Sequence, residues 1–295
     1  MKILGAGLAG CLAGAMNPKA TILEPYPKRE THKALLRFRS DKIGRELGIP
    51  FQQVKVYKGI WHNDSPVSLS PRYIALYSRK VSDTVSYRSI CNLDTEIRYI
   101  APNNLHDILC GICGDRIEYE ADDWQPHKDE VTISTLPIDI NAKLCSNDID
   151  VSKSSSTIYV SQFKIQESNV FMTYYYTDPT VHMYRASITN DVLIIESMWQ
   201  IEENDIKVAF RSFGLQGLPI IPILVNHRQT NGKIVPIDEG KRKTLLYEMT
   251  TEYNLYSLGR FATWREKVLL DDVFDDILKI RNMIGKHKYD RHKEL

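Results

Sequence analysis

The chain has little of several features that mark specialised classes of protein. It has five cysteines in 295 residues, too few for the disulfide framework of a small secreted domain. Its formal net charge is +1, so no overall charge draws it to nucleic acid or to a membrane surface. No apolar run approaches the roughly 18 residues that a membrane span needs, and no repeat is visible. These absences predict a cytoplasmic globular protein with a large core, divided into two interleaved subdomains.

The opening residues carry the most specific motif. An apolar strand at 2–4 leads into G-x-G-x-x-G, and a helix of small residues follows. The first glycine allows a tight turn, the second lets a pyrophosphate approach the backbone, and the third lets helix and strand pack closely. A second strand ends on Glu24, at the spacing from which an acid accepts from a ribose hydroxyl. The residues expected at the pyrophosphate are Gly5, Gly7, Leu8, Ala9 and Gly10.

A secretory signal peptide is the alternative reading of this N-terminus. Lys2, an apolar stretch and Ala13-Gly14-Ala15 imitate its charge, its core and its cleavage site. A signal needs neither three glycines at dinucleotide spacing nor a second strand that closes on an acid. The pattern therefore favours a nucleotide-binding βαβ unit.

The sequence also contains a C-x-x-C motif, Cys110-Gly111-Ile112-Cys113. Zinc sites and redox pairs use this spacing. No second cysteine pair or histidine cluster accompanies the motif, and it lies between a helical pattern and a strand, where small buried residues are ordinary. We therefore expect no metal site.

The middle of the chain is typical of an antiparallel sheet. Runs rich in β-branched and aromatic residues alternate with turn residues; they are 158–160, 170–176, 182–188 and 192–196. Helical patterns cover 71–86, 105–113, 205–213 and 272–284. The predicted fold is a Rossmann-type α/β nucleotide-binding domain with an inserted, mainly antiparallel β-sheet substrate domain. The predicted boundaries are 1–35, 96–150 and 230–285 for the first domain, 36–95 and 151–229 for the second, and 286–295 for a frayed basic tail.

A second specific motif lies near the C-terminus. Gly259-Arg260-Phe261-Ala262-Thr263-Trp264 is followed by Asp272-Val273. This segment resembles UDP-galactopyranose mutases and the wider flavin amine-oxidase group, in which an Asp follows Gly-Arg-Phe-x-x-Trp at the same distance. Thr135-Leu136-Pro137 resembles the family's Thr-x-Pro turn, and Tyr184-Arg185 resembles the Tyr-Arg of its substrate sheet. The chain departs from the family after Glu24, where Arg-x-Gly-Gly is absent, and the mutases' histidine-containing glycine loop is not evident.

The resemblance implies that FAD binds across the parallel sheet. Glu24 would bind the adenosine ribose, and Gly259-Arg260 would hold the flavin side of the phosphates. The helix starting at Asp272-Val273 would direct its N-terminus at the isoalloxazine ring, where its partial positive charge stabilises the reduced flavin. The predicted cofactor-binding residues are Gly5, Gly7, Leu8, Ala9, Gly10, Glu24, Arg37, Gly259, Arg260, Asp272 and Val273.

The first functional hypothesis is an FAD-dependent oxidoreductase, an amine oxidase or lyase, acting on an amine or amino-acid group. The cofactor supplies the hydride chemistry, so the protein must supply an aromatic cage and a substrate clamp. Arg185 lies mid-strand, where an unpaired charge is expensive, and is expected to hold a substrate carboxylate. The predicted catalytic residues are Arg185, Tyr174, Tyr176 and Trp264. A sugar isomerase that uses reduced flavin, and a flavin-binding protein without turnover, are the alternatives.

A narrower resemblance concerns the possible substrate. Segments 34–40, 49–51 and 58–60 resemble a branch of short flavoproteins common in bacteriophages, some of which occur with genes for thymidine hypermodification. The resemblance implies an amino-acid adduct on a DNA base as substrate, in the host cytoplasm. A basic run would then contact DNA phosphates; a solvated surface is its alternative meaning. The residues of this run are Arg37, Arg39, Lys42 and Arg45.

Overall fold

The computed structural model describes residues 1–27, 37–82, 90, 92–121, 124–146 and 155–291. The strands are β1 (Lys2–Leu4), β2 (Thr21–Glu24), β3 (Arg37–Phe38), β4 (Gln52–His62), β5 (Ser65–Val67), β6 (Glu96–Ile100), β7 (Ile117–Tyr119), β8 (Thr132–Ser134), β9 (Ser155–Lys164), β10 (Phe171–Tyr176), β11 (Met183–Thr189), β12 (Val192–Ser197), β13 (Ile221–Ile234) and β14 (Leu255–Ser257). The helices are α1 (Leu8–Met16), α2 (Lys42–Leu47), α3 (Pro71–Ser82), α4 (Leu105–Cys113), α5 (Ile138–Leu144), α6 (Glu203–Ser212), α7 (Glu239–Tyr253) and α8 (Leu270–Arg291).

The chain divides into two compact units. The first contains Met1–Gln52, Tyr99–Ser154 and Ile234–Leu295, and the second contains Gln53–Arg98 and Ser155–Lys233. In the described part of the chain, no helix combines the length and the apolar character needed to cross a membrane.

The first unit is built on a five-stranded parallel sheet in the order β14-β8-β1-β2-β7. Ile3 of the central strand lies opposite Ile22 and Ile133, and all three side chains are fully buried. Such apolar parallel strands are typical of a sheet covered by helices. α1 packs against α4 and α8 in the same core. This architecture confirms the predicted Rossmann-type fold.

α1 approaches the preceding turn very closely. A Cβ added at Gly10 would lie 1.8 Å from the carbonyl oxygen of Gly5, so no other residue fits without displacing the helix. Gly5 has a φ of +91°, a conformation that glycine adopts without steric penalty. Its N–H donates to the carbonyl of Leu23 at 2.8 Å. The tight turn and close helix packing predicted from the motif are both present.

The second unit contains a sheet in the order β13-β9-β12-β11-β10-β4-β6. β9, β12, β11 and β10 pair in antiparallel fashion, and β10 pairs with β4 in parallel. These four antiparallel strands are those predicted from the aromatic and β-branched runs, so the inserted, mainly antiparallel sheet is confirmed. One apolar cluster combines residues of this sheet with Val208, Ala209 and Phe210 of α6.

The unit boundaries differ from the prediction between residues 37 and 52. Phe38, Ile43 and Ile49 are buried in the core that also contains α1, so this segment belongs to the first unit rather than to the substrate domain. Near the C-terminus, α8 continues to Arg291, into the stretch predicted to be a frayed tail. The predicted extension of α3 beyond residue 82 lies outside the described residues.

β13 is one of the elements that the sequence did not predict. Two prolines, Pro219 and Pro222, interrupt the apolar run at 218–222, and β13 begins between them at Ile221. It lies at one end of the strand order. Proline is tolerated in an edge strand because its missing N–H does not break a ladder on the open side.

Replacing Gly10 by alanine should destabilise the protein. The new methyl group has no room beside the Gly5 carbonyl, and overpacking of this kind typically costs about 1–3 kcal/mol. Urea titration of the free energy of unfolding measures the loss. Gly111→Ala is the matched control, because it lies in α4 and no atom is within 4 Å of its added Cβ. It should stabilise the helix by roughly 0.5–1 kcal/mol; equal losses in both variants would contradict the packing argument.

Candidate functional site

Glu24 holds the glycine loop from the end of β2. Its Oε2 accepts a hydrogen bond from the Ala6 N–H at 2.7 Å, and its Oε1 accepts from the Tyr26 N–H at 3.2 Å. A carboxylate offers about four lone-pair sites, so two remain for a ligand hydroxyl. Glu24 therefore has a structural role that the sequence did not show, alongside the predicted ribose contact.

The N-terminus of α1 is open toward a ligand. Gly7 is its N-cap in extended conformation, and no side chain caps the helix there. A Cβ at Gly7 would meet no atom within 4 Å. The first N–H groups of a helix have no intrahelical acceptor, and its dipole favours an anion at this end. The loop thus has the room and the donors that the pyrophosphate of FAD requires.

The C-terminal motif reaches the same place. Gly259 has a φ of +88°, and a Cβ added to it would lie 3.3 Å from the Cβ of Ala9 and 3.9 Å from a methyl of Val273. The backbone N–H and hydroxyl of Thr263 both donate to the Gly259 carbonyl, at 3.1 and 2.6 Å. The guanidinium of Arg260 lies 5.1 Å from the ring centre of Phe261. The structure therefore brings the two predicted glycine motifs together at the first turn of α1.

Two aspartates occupy the first turn of α8, which starts at Leu270 rather than at Asp272. Asp272 accepts from the Leu269 N–H at 2.8 Å and from Arg39 Nη1 at 3.0 Å. Asp271 is buried and accepts three hydrogen bonds from Arg39 and Ser40. These carboxylates anchor residues 39–40 to the helix. The sequence did not single out Asp271, and a direct contact of this helix end with the flavin ring stays a prediction.

The basic run after β3 is largely neutralised within the first unit. Arg39 pairs with Asp272 at 3.0 Å, Lys42 with Asp275 at 2.7 Å, and Arg45 with Asp41 at 3.0 Å. Arg37 lies in β3 opposite Ile100. These ion pairs give the basic run a structural role. They do not support a contact with DNA phosphates, which stays a prediction.

Two of the predicted cage residues are packed in cores. Tyr176 is fully buried, its hydroxyl hydrogen-bonds with Ser212, and burial raises its pKa. Trp264 is 3% exposed, and its Nε1 donates to the Val235 carbonyl at 2.9 Å. Neither ring presents a surface to a substrate, so the predicted cage needs correction at both positions.

Tyr174 belongs to the same face of the sheet as Tyr176. Its ring lies 5.5 Å from that of Trp61 and 5.1 Å from that of Phe213, and burial raises its pKa. The predicted alternation along β10 is correct. The face that carries Tyr174 and Tyr176, however, packs in the cluster with α6.

The opposite face carries Arg185. The sequence predicts an anionic partner for it, and the structure supplies one inside the chain: Glu196, its cross-strand neighbour, accepts from Arg185 Nε. Tyr184 donates to the other carboxylate oxygen at 3.3 Å. Burial alone would raise the pKa of Glu196, but the charges of Arg185 and Lys233 and these hydrogen bonds lower it.

Aromatic rings flank this ion pair. Lys233 Nζ lies 4.3 Å from the ring centre of Tyr184. Tyr175, which pairs with Arg185 across the strands, makes an edge contact with Tyr77 at 5.3 Å. We refer to these residues as the polar sheet face; they are Tyr77, Tyr175, Tyr184, Arg185, Glu196 and Lys233.

Lys80 is a further titratable group that the sequence did not single out. Burial lowers its pKa to about 8, although the charges of Asp205 and Asp178 act in the opposite direction. Its Nζ donates to the Asp178 carbonyl at 2.7 Å. A lysine with this pKa is partly neutral near physiological pH and can accept a proton.

Among the described residues, one group could hold a metal ion: Cys11, His106 and Cys110. The sequence argued against a metal because no histidine cluster accompanies the C-x-x-C motif. The missed signal is helical spacing, since His106, Cys110 and Cys113 follow one another at positions i, i+4 and i+7 and so share a face of α4.

The fold is similar to several solved structures. An oxidoreductase from Methanosarcina mazei matches with a TM-score of 0.61 and 11% identity, over 96% of this chain and 100% of that chain. A protein from Pyrococcus furiosus matches with a TM-score of 0.57 and 10% identity, over 96% and 97%. A flavoprotein/dehydrogenase from Cytophaga hutchinsonii matches with a TM-score of 0.55 and 11% identity, over 96% and 78%. No protein-family model and no curated protein matches the chain. At these identities the likeness establishes the fold.

Replacing Glu196 by glutamine should destabilise the protein at neutral pH. Removing the charge leaves Arg185 without its partner; since the Arg185 side chain is 34% exposed, we expect a loss of about 1–3 kcal/mol. The pKa of Glu196 is below its ordinary value of 4.5 in the folded protein, so its contribution is present above about pH 4.5 and lost as the pH falls through the folded pKa. The difference between wild type and variant in urea titrations should therefore shrink on acidification.

The control is the same substitution in an Arg185→Met background. There Glu196→Gln should no longer destabilise, and the double-mutant cycle should give a favourable coupling energy at pH 7. A coupling near zero, or one that is unchanged by acid, would contradict the assigned ion pair.

Proposed function

We propose that this protein is an FAD-dependent oxidoreductase that oxidises an amine or amino-acid group. The observation that carries the proposal is the convergence at the N-terminus of α1. Gly5, Gly7 and Gly10 form a cradle with room for a pyrophosphate, and the turn at Gly259 packs against Ala9 in the same place. A glycine loop with a second chain segment beside it, here the turn at Gly259, suits a dinucleotide that extends beyond the βαβ unit. The names of the similar structures from M. mazei and C. hutchinsonii agree with this proposal.

The chain's own residues would bind and orient the cofactor. The free N–H groups at the start of α1 would hold the pyrophosphate, and the remaining lone pairs of Glu24 would accept from the adenosine ribose. FAD, when bound, supplies the acceptor for a hydride from a carbon next to nitrogen. The protein must therefore hold the substrate and remove the proton from its ammonium group, because hydride leaves a neutral amine more readily.

The polar sheet face is our candidate for the substrate side. It carries a carboxylate, Glu196, and two cations, Arg185 and Lys233, so it offers a partner to each charge of an amino acid. Glu196 is ionised at neutral pH because its pKa is lowered, and Arg185 is partly exposed. The Lys233 ammonium lies over the ring of Tyr184, 4.3 Å from its centre, a contact that supports the proposal of a site for cationic groups. This set replaces the cage of Tyr174, Tyr176 and Trp264 expected from the sequence.

The alternatives have less support. The turn from Gly259 to Val273, on which the mutase resemblance rests, lies at the α1 N-terminus and would serve FAD binding under either chemistry. It therefore does not favour a sugar isomerase. An adduct on a DNA base would need cations free for phosphates, and Arg39, Lys42 and Arg45 are paired with carboxylates.

Replacing Gly7 by valine should weaken FAD binding without unfolding the protein. The side chain would enter the space in front of α1, where it meets no protein atom within 4 Å of its Cβ, so the free energy of unfolding should fall only by the roughly 0.5–1.5 kcal/mol that valine costs at a helix N-cap. Titration with FAD, followed by quenching of flavin fluorescence, should show a loss of at least tenfold in affinity (about 1.4 kcal/mol). A wild-type chain that binds no FAD, or a variant that binds it equally well, would overturn the cofactor assignment.

The FAD-loaded protein is mixed anaerobically with amines and with amino acids. The substrate class should reduce the flavin and so bleach its visible absorption. Loss of one charge-assisted hydrogen bond costs about 1.5–3 kcal/mol, so Arg185→Met should raise the amino-acid concentration for half-reduction by roughly 10- to 150-fold. Arg211→Met is the matched control, because Arg211 pairs with Asp64 on the surface of the same unit and should leave the titration unchanged. A flavin that no amine or amino acid bleaches would refute the substrate class while leaving the cofactor assignment intact.

A further inference from the structure

A cluster of thiols and one imidazole lies directly beneath the glycine loop. Cys11, on α1, and Cys110, on α4, have their sulfur atoms 3.5 Å apart. His106 Nε2 lies 3.8 Å from the sulfur of Cys11 and 3.6 Å from that of Cys110. Both cysteines are free thiols and buried, and His106 is half-buried. Three good metal ligands therefore face one another in the core of the first unit.

We propose that Cys11, His106 and Cys110 bind a zinc(II) ion. Tetrahedral zinc with Zn–S of about 2.3 Å and Zn–N of about 2.05 Å places two sulfurs about 3.8 Å apart and a sulfur and a nitrogen about 3.6 Å apart. The three separations in the cluster differ from these values by about 0.3 Å or less, although binding requires His106 Nε2 and the Cys11 thiol to turn away from the Ala6 carbonyl. Thiolate and imidazole ligands together select zinc over the hard cations magnesium and calcium.

A third thiol lies next to the cluster. Cys113 follows Cys110 by one helical turn; its thiol donates to the Cys11 carbonyl at 3.4 Å and interacts with the Cys11 thiol. Packing of α1 against α4 holds the four side chains in place. The ligand atoms that lie within 4.8 Å of one another are those of Cys11, His106 and Cys110, so a water molecule would take the fourth coordination position unless Cys113 moves toward the ion.

Zinc binding would change the hydrogen bonding of the glycine loop. In the metal-free chain the Ala6 carbonyl accepts from the Cys11 thiol at 3.1 Å and from His106 Nε2 at 2.8 Å. Zinc replaces the proton of each thiol, and those protons are released to solvent. The ion also binds the neutral imidazole at Nε2, so the imidazole proton moves from Nε2 to Nδ1. The Ala6 carbonyl then loses both donors. Because the Ala6 N–H is the group that Glu24 holds, zinc occupancy is coupled to the shape of the nucleotide loop.

Cobalt(II) provides the spectroscopic test. The reduced, chelator-treated full chain should bind one equivalent of Co²⁺ with a thiolate-to-cobalt charge-transfer band and the strong visible absorption of tetrahedral cobalt. Zn²⁺, added next, should abolish both bands at one equivalent by displacing Co²⁺. In a separate titration, Zn²⁺ added to the chelator-treated chain should release the thiol protons. None of these readouts needs FAD or turnover, so they stand or fall independently of the proposed function.

Variants identify the ligands. Cys110→Ser should lower the zinc affinity by more than the roughly 10- to 100-fold that loss of an outer-shell partner costs. His106→Gln, at a half-buried position, should do the same and keeps the test valid if the buried cysteine variant fails to fold. Cys145→Ser is the matched control: Cys145 is a buried free thiol in another cluster of the first unit, and its substitution should leave the affinity unchanged.

Three results would overturn the proposal. The wild-type chain could show no thiolate-to-cobalt band, or Cys110→Ser could keep the band at full intensity. The third is a chain that takes up no metal but forms a Cys11–Cys110 disulfide with hydrogen peroxide, which mass spectrometry of the digest would detect. That result would assign the cluster to thiol redox chemistry instead.

Discussion

The close contact between Gly10 and the carbonyl of Gly5 is the constraint on which the first unit depends. It sets the distance between β1 and α1, and with it the position of every group on that helix. The N-terminus of α1 thereby opens beside the turn at Gly259, and the Cys11 thiol faces α4. Two neighbouring features, the glycine loop and the thiol cluster, thus share one steric cause. A single methyl group at Gly10 disturbs both.

In the second unit, one face of the sheet is apolar and packed, and the other carries an ion pair. Tyr176 and its neighbours on one face pack in the cluster with α6, whereas Arg185 and Glu196 form a partly buried ion pair on the other. Such a pair contributes little net stability compared with apolar residues of similar size, because both charges lose hydration.

Local patterns explain how far the sequence predicts this fold. The glycine spacing at Gly5–Gly10 and the alternation in β10 are local, and both are present in the structure. Alternation along a strand shows which residues share a face of the sheet, but it does not show which face a helix covers. It therefore does not reveal that Tyr176 is buried against α6. Pro222 hid β13, because a proline argues against a strand unless that strand is known to lie at an edge. Asp271 and the pairing of Cys11 with His106 depend on contacts between distant segments, which no local pattern carries.

The order of β1 in the parallel sheet has a consequence for synthesis on the ribosome. β1 is made first, but its neighbour β8 follows about 130 residues later and β14 about 120 residues after that. At roughly 5–20 residues per second, some 13–50 s separate the first strand from the last. During that time the apolar residues Ile3 and Leu4 have no complete sheet to enter, and chaperones or hydrophobic neighbours can bind them. The contact between the glycine loop and the turn at Gly259 therefore forms late in translation, long after both strands of the first βαβ unit have been made.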